Sequence, residues 1–347
     1  MQYKKHLILS GSSIKSALFL LDNLGKDAIL FVVDKDNKLI ASLTDGDIRR
    51  GLIKGSSIDE EIDSISQKQP KYLKKGDNDI QKVIGYRNDM LKIVPVLDEF
   101  GRIVDIVNFG RNRSYLPLDA VIMAGGKGMR LRPLTENTPK PLLMVGDKPI
   151  IEHNIGRLSL YGIKTLFISV NYLGEQIEDY FKDGSELNIS IKYLYENMPL
   201  GTIGAVSQIE KFNHSNILIT NSDLLTNIDY EDFFLDFIKQ DADFSVVSIP
   251  YNVNVPYAVL ETNENSVISF KEKPTFTYYS NGGIYLIKKE LLKSIPQNTM
   301  YNATDLMEKL IKEGAKVITY PLLGYWLDIG SHEEFKKAQI EYEHIKF

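Results

Sequence analysis

The chain contains no cysteine, so neither a disulfide framework nor thiolate chemistry can underlie its stability or its activity. That absence suits a reducing compartment. No apolar run approaches the length needed to cross a bilayer. Met1 to Ser10, with two lysines and a short apolar stretch, lacks the core of a signal peptide. A cytoplasmic protein with no membrane partner is therefore expected. Nor is there a cationic excess: 41 Lys and Arg against 46 Asp and Glu leave a net charge of −5, so nucleic acid is not expected as a partner. No Gly-x-x-x-x-Gly-Lys-Ser/Thr string occurs, which excludes a P-loop. The dinucleotide fingerprint Gly-x-Gly-x-x-Gly fails at its third glycine, where Leu131 stands.

What is present is an ordinary globular composition, 43% hydrophobic and 25% charged over 347 residues, enough for two domains. Its densest feature is Ala124 to Pro141, AGGKGMRLRPLTENTPKP. A short apolar run, Leu118 to Met123, precedes it and reads as a buried strand. Gly125, Gly126 and Gly128 let the backbone turn tightly and bring its N–H groups close to a ligand. Lys127, Arg130, Arg132 and Lys140 follow against a single acid, Glu136. Lys140 stands between Pro139 and Pro141, a stiff mount that holds one position. Amides and cations gathered in this way suit a polyphosphate.

The segment resembles the signature of sugar-1-phosphate nucleotidyltransferases, Gly-Gly-x-Gly-Thr-Arg-Leu, then Pro-Leu-Thr, then Lys-Pro, with Met129 in place of the usual Thr. The resemblance runs from about Leu118 to the C-terminus and implies a Rossmann-like α/β domain over 116–347 with a mostly parallel sheet. It also implies a Mg²⁺-dependent reaction in which Arg130 and Lys140 are catalytic, while Ala124, Gly125, Gly126, Lys127 and Gly128 hold the nucleotide. The sequence after the signature agrees with such a sheet. Helical Pro149 to Tyr161, strand Thr165 to Val170, helical Gly174 to Phe181 and strand Ser190 to Tyr195 alternate as crossover units do. In such sheets ligands gather at the carboxyl ends of the strands.

Asp223 in Thr-Asn-Ser-Asp and Asp328 in Trp-Leu-Asp-Ile-Gly each fall at an expected strand end, far apart in sequence. By the resemblance they hold Mg²⁺, a hard ion that is often bound by two carboxylates plus substrate phosphates. The resemblance likewise implies that Glu272 meets sugar hydroxyls and Lys273 the sugar phosphate, and that Asn281 and Gly283 touch the sugar. Ala258 stands where the family usually has Gly, which narrows that site. Gly201 and Thr202, in Pro-Leu-Gly-Thr, belong to the base pocket by the same reasoning. Five residues earlier is Glu196, where thymidylyl and uridylyl relatives commonly have Gln. A carboxylate only accepts hydrogen bonds, so it suits the N1–H and N2–H donors of guanine and repels the oxygens of uracil or thymine. This resembles the guanylyltransferase branch and implies GTP and a hexosamine, mannose or heptose 1-phosphate as substrates. Use of UTP, CTP or dTTP, and an inactive nucleotide-sensing regulator, are the alternatives.

The first third repeats itself with a shift of 64 residues: Ile29 to Asp34 matches Ile93 to Asp98, and Thr44 falls on Asn108. Each unit reads as a helix, two β-branched strands joined by a polar turn, then a second helix or its remnant. Such units bury their sheets against each other. Thr44-Asp45-Gly46-Asp47 resembles the ribose-phosphate signature of cystathionine-β-synthase-type (CBS) domains, which implies a CBS pair over 1–115 and an adenosyl nucleotide on Thr44 and Asp47. The same Thr-x-x-Asp is also an ordinary helix capping box, and packing or dimerisation is the other role open to the module. In the second unit the matching residues are Asn108 and Arg111, which removes the signature there. Gly110 to Pro117 reads as the linker, and a homo-oligomer is expected.

Overall fold

Two three-stranded sheets carry the repeat of the first third. In the computed structural model, which describes residues 2–76 and 79–345, the first copy runs β1 (Leu7–Leu9), α1 (Ile14–Leu24), β2 (Ile29–Val33), β3 (Leu39–Thr44) and α2 (Asp45–Ile53). The second runs β4 (Leu73–Lys74), α3 (Ile80–Asn88), β5 (Ile93–Leu97) and β6 (Ile103–Asn108). Met1 and Phe347, the outer limits of the two expected domains, lie outside the described residues. In each copy the short first strand lies parallel to the second and the third is antiparallel to it. Ile29 pairs with Thr44 and Ile93 with Asn108, and the β-bulges at Val32/Val33 and Val96/Leu97 also stand 64 residues apart. The first copy ends in a helix, whereas the second goes from β6 into a turn at Phe109–Gly110. Strands β1 and β4 escape a sequence reading because three and two residues are too few to show a period.

Alternation along β2 explains why the copies need each other. Leu30 and Val32 join Ile14, Ala17 and Leu21 of α1 in one buried cluster. Phe31 and Val33, on the opposite face of the strand, pack with Ile93, Leu97 and Ile103 of the second copy. A strand buried on both faces reads as a continuous apolar run, which is what Ile29–Val33 is.

Residues up to Pro117 together with Leu160–Gly162 make one compact unit, and the rest of the chain makes the other. The second unit begins with β7 (Leu118–Met123), the short strands β8 (Met144–Val145) and β9 (Lys148–Pro149), and α4 (Ile150–Leu160). It continues through β10 (Thr165–Val170), α5 (Gly174–Phe181), β11 (Ser190–Tyr195), β12 (Asn216–Asn221), β13 (Leu224–Thr226) and α6 (Tyr230–Lys239). Then come β14 (Phe244–Asn254), β15 (Val259–Asn263), β16 (Ser266–Lys271), β17 (Thr275–Lys288), α7 (Ala303–Lys312), β18 (Val317–Pro321), β19 (Trp326–Asp328) and α8 (His332–Glu341). The central sheet has the order β11-β10-β7-β12-β17-β14-β18, mostly parallel, with β17 running against both of its neighbours. Val121, Ile217, Ile219, Phe244 and Tyr285 on this sheet bury against Ala303, Leu306 and Leu310 of α7. Within this sheet the strand that follows β7 in the chain, β10, lies on one side of it and β12 on the other, so the sheet order reverses at β7. A crevice opens at the carboxyl end of such a strand, and there the glycine-rich segment begins. No helix among the described residues is long and apolar enough to cross a membrane.

Candidate active site

The glycine loop is anchored at both ends. Ala124 is buried and donates its N–H to the Ser169 carbonyl at 2.9 Å, extending the pairing with β10, so its amide is engaged within the sheet. Gly128 is left-handed at φ 61°, and a Cβ there would sit 3.0 Å from Thr135 and 3.1 Å from Lys140. The Thr135 hydroxyl donates to the Gly128 carbonyl at 2.8 Å and closes the loop. Lys140 follows extended Pro139 and opens a single turn of 3-10 helix. Gly125, Gly126, Gly128, Arg130 and Lys140 line one side of a cavity of about 500 Å³. Glu196, Gly201, Thr202 and Asp223 line it from other segments of the chain.

The two aspartates meet through a ladder. Asp223 occupies the turn between β12 and β13, and Asp328 ends β19. These short strands pair antiparallel with Leu224 opposite Asp328, and the Ile329 N–H donates to the Asp223 carbonyl at 3.0 Å. The Lys140 ammonium donates to Asp223 Oδ2 and lies 4.0 Å from Asp328 Oδ1. Asp223 Oδ1 and Asp328 Oδ1 are buried and accept no hydrogen bond from any described residue. Burial, and then the neighbouring Asp223 charge, push the Asp328 carboxyl up to about 6, with Lys140 pulling it down. Two like-charged carboxylates with unused oxygens are a fit for a divalent cation. No group of three or more His, Cys, Asp or Glu side chains suited to a metal occurs among the described residues. Any ion here must therefore complete its shell with oxygens from a ligand or water.

Glu196 is not a solvated strand-end acid. It is buried, and the Ser169 hydroxyl donates to its Oε1 while the Leu200 N–H donates to Oε2 at 3.0 Å. Asn171 Nδ2 holds its carbonyl at 2.7 Å. A Cβ on Gly125 would stand 2.7 Å from Oε1, so the glycine makes room for this carboxylate. The Leu200–Gly204 loop is fastened to the start of α7. Gly201 is left-handed at φ 76°, and the Ile203 and Gly204 N–H groups both donate to the Tyr301 carbonyl. The Thr202 hydroxyl accepts from the Ala303 N–H at 2.9 Å. Asn221, Ser222 and Asn302 also line the cavity and were missed by the sequence reading, as was Ser169 behind Glu196. One signal could have found Asn302: the Asn-x-x-Asp capping box that opens α7.

The model of a family described as nucleotidyl transferase matches residues 119–345. The chain belongs to that family, among sugar-1-phosphate nucleotidyltransferases. It is 31% identical over 234 residues to a D-glycero-alpha-D-manno-heptose 1-phosphate guanylyltransferase of Aneurinibacillus thermoaerophilus, covering 65% of this chain and 99% of that one. It is 30% identical to a mannose-1-phosphate guanylyltransferase of Mycobacterium tuberculosis, covering 65% of this chain and 64% of the relative, and 28% identical to a UTP–glucose-1-phosphate uridylyltransferase of Synechocystis, covering 64% and 62%. Among solved structures, HddC from Yersinia pseudotuberculosis complexed with GMP-PN superposes with a TM-score of 0.50 at 25% identity, over 65% of this chain and 99% of that one.

Not every expected residue of this nucleotidyltransferase faces the cavity. Lys127 is exposed at the loop tip and does not line it. Ala258, Glu272 and Lys273 are exposed on the β14–β17 arm and do not line it either. Asn281 accepts the Gly283 N–H on its side chain at 2.9 Å, within β17 where its register against β14 shifts. Gly283, left-handed at φ 71°, backs onto Asn221, whose Nδ2 would be 2.6 Å from an added Cβ. In the N-terminal unit, Thr44 and Asp47 cap α2 reciprocally.

Proposed function

We infer that this chain is a guanylyltransferase that joins GTP and a sugar 1-phosphate into a GDP-sugar and pyrophosphate. The observation that carries the reading is the buried Glu196 carboxylate, which faces the same cavity as the glycine loop, Lys140 and Asp223. Ser169 and the Leu200 N–H each engage one of its oxygens, which leaves acceptor capacity for the paired N1–H and N2–H of guanine. The guanylyl relatives and the GMP-PN complex support the same base.

In the reaction an oxygen of the sugar phosphate attacks the α-phosphorus of the triphosphate. The bond from that phosphorus to the departing pyrophosphate breaks, and no protein nucleophile takes part. Catalysis is then positioning and charge stabilisation. Amides of Gly125, Gly126 and Gly128 cradle the triphosphate, with Lys127 reaching it from the loop tip outside the cavity, while Arg130 and Lys140 neutralise charge that develops on phosphoryl oxygens. Gly201 and Thr202 form the wall beside the base. Asp223 and Asp328 would hold Mg²⁺, which when bound supplies positive charge to the reacting phosphates. Ala258, Glu272, Lys273, Asn281 and Gly283 serve the sugar phosphate, of hexosamine, mannose or heptose type. The first 115 residues serve as a CBS pair and residues 116–347 as the transferase, working in the cytoplasm. An adenosyl nucleotide at Thr44 and Asp47 would have to displace Arg50 or Gln67 from the Asp47 carboxylate.

Pyrophosphate release measured over GTP, UTP, CTP and dTTP, each against a set of sugar 1-phosphates, tests this. Turnover at least tenfold higher with GTP is expected, and Glu196→Gln should erase most of that preference, since one good bidentate contact discriminates by about 1–3 kcal/mol. Turnover with UTP but not GTP overturns the base. The uridylyl relative favours that second reading. No product from any pair would point to an inactive sensor instead.

A further inference from the structure

Glu196 is held at its backbone and at both carboxylate oxygens, and one of these holds comes from behind the cavity. Its N–H donates to the Val170 carbonyl at 2.9 Å, and its own carbonyl accepts from Asn171 Nδ2 at 2.7 Å. Oε2 accepts the Leu200 N–H at 3.0 Å. Oε1, the oxygen set against Gly125, accepts the Ser169 hydroxyl from within the central sheet. Ser169 does not line the cavity, so it acts on a ligand only through its neighbours.

The serine sits where an apolar residue would be easier to bury. Ser169 is fully buried in β10, and its chain neighbours Ile168 and Val170 are fully buried too. A hydroxyl in such a place costs free energy unless a hydrogen bond offsets its lost water. Alanine would fill the same position of the strand without that cost. The Ser169 carbonyl meanwhile accepts the Ala124 N–H at 2.9 Å, where β7 passes into the glycine loop. One residue of β10 thus fastens the root of the glycine loop with its backbone and the Glu196 carboxylate with its side chain. A carboxylate turns about the single bonds of its stem, yet reading two donors at once needs both oxygens in the plane of the base. A donor on each oxygen removes that freedom, because a turn that keeps one bond breaks the other. Each oxygen accepts about two hydrogen bonds, so each still has a site open toward a ligand. We propose that Ser169 is a positioning residue for base selection: its hydroxyl fixes the plane of the Glu196 carboxylate. The proposal rests on the guanine reading of the site.

Calorimetric titration of the full chain with GTP, ITP and UTP tests it, and no sugar 1-phosphate is needed. Inosine differs from guanine only in lacking the N2 amino group, so the ratio of GTP to ITP affinity reads one donor to the carboxylate. The wild type should bind GTP about tenfold more tightly than ITP, the worth of one hydrogen bond to a charged group. In Ser169→Ala the ratio should fall to about twofold, with affinity for UTP and the melting curve unchanged. Ser169→Thr keeps the hydroxyl and should keep the ratio. A Ser169→Ala protein with the wild-type ratio overturns the role of Ser169 and leaves the guanine reading standing, as does an equal loss for all three nucleotides. A wild type that binds UTP more tightly than GTP overturns the guanine reading, and this role with it. Should Ser169→Ala fail to fold, Ser169→Cys, of similar shape with a weak donor, should also lower the ratio. A wild-type ratio there overturns the role as well.

Discussion

Asp47 and Asp223 are aspartates placed just after a strand, each beside a cation, yet their oxygens are occupied very differently. Asp47 Oδ2 accepts the Thr44 N–H at 2.9 Å and the Thr44 hydroxyl at 2.6 Å. Its Oδ1 accepts Arg50 at 2.7 Å and Gln67 at 2.9 Å. Against the upward push of burial, these donors hold its carboxyl below the usual carboxylate range. Asp223 has Lys140 on one oxygen and nothing from the described residues on the other. A saturated carboxylate stabilises the fold, whereas one with a buried, unused oxygen carries a desolvation cost that only a ligand can offset. The capping box at Thr44 is thus complete in itself, while the pair at Asp223 and Asp328 is built to be finished by something else.

Replacing each carboxylate should separate the two roles. Asp223→Asn is expected to lower kcat at least a hundredfold while the thermal midpoint holds or rises, because repulsion with Asp328 is relieved; a steady-state assay beside a melting curve reads both. Lys140→Ala should lower kcat by tens-fold with the fold intact, and near-normal turnover would remove its catalytic role. Asp47→Asn should do the reverse, lowering stability by about 2–3 kcal/mol by weakening several hydrogen bonds to a buried carboxylate, with turnover at saturating substrates within about twofold. Smaller still is the acid response. Since folding lowers the Asp47 carboxyl, its contribution is present above the unfolded value near about pH 4 and is lost as pH falls through the lower folded one. Melts between about pH 5 and pH 3 should therefore fall less steeply in Asp47→Asn than in the wild type.

The glycine loop was legible because its chemistry is local: glycines, cations and two prolines stand within one segment and dictate a turn that presents amides and a rigid lysine. The repeat was legible because both copies are long enough to show β-branched runs; that they share their bulge positions only the strand register reveals. Ser169 was not, because a single serine in an apolar strand has no pattern until Glu196 is set against it by the pairing of β10 and β11.

Sequence alone determined that the chain alternates strands and helices, that a turn rich in glycine and cations follows β7, and which side chains are chemically able to bind a cation or a base. The tertiary structure decided which of them meet. Asp223 and Asp328 share a lysine only because β13 and β19 form a two-strand ladder, and Glu196 reaches the glycine loop only because β7, β10 and β11 lie side by side. Local composition fixes what a residue can do; long-range backbone pairing, which no short window of sequence encodes, sets what it is next to.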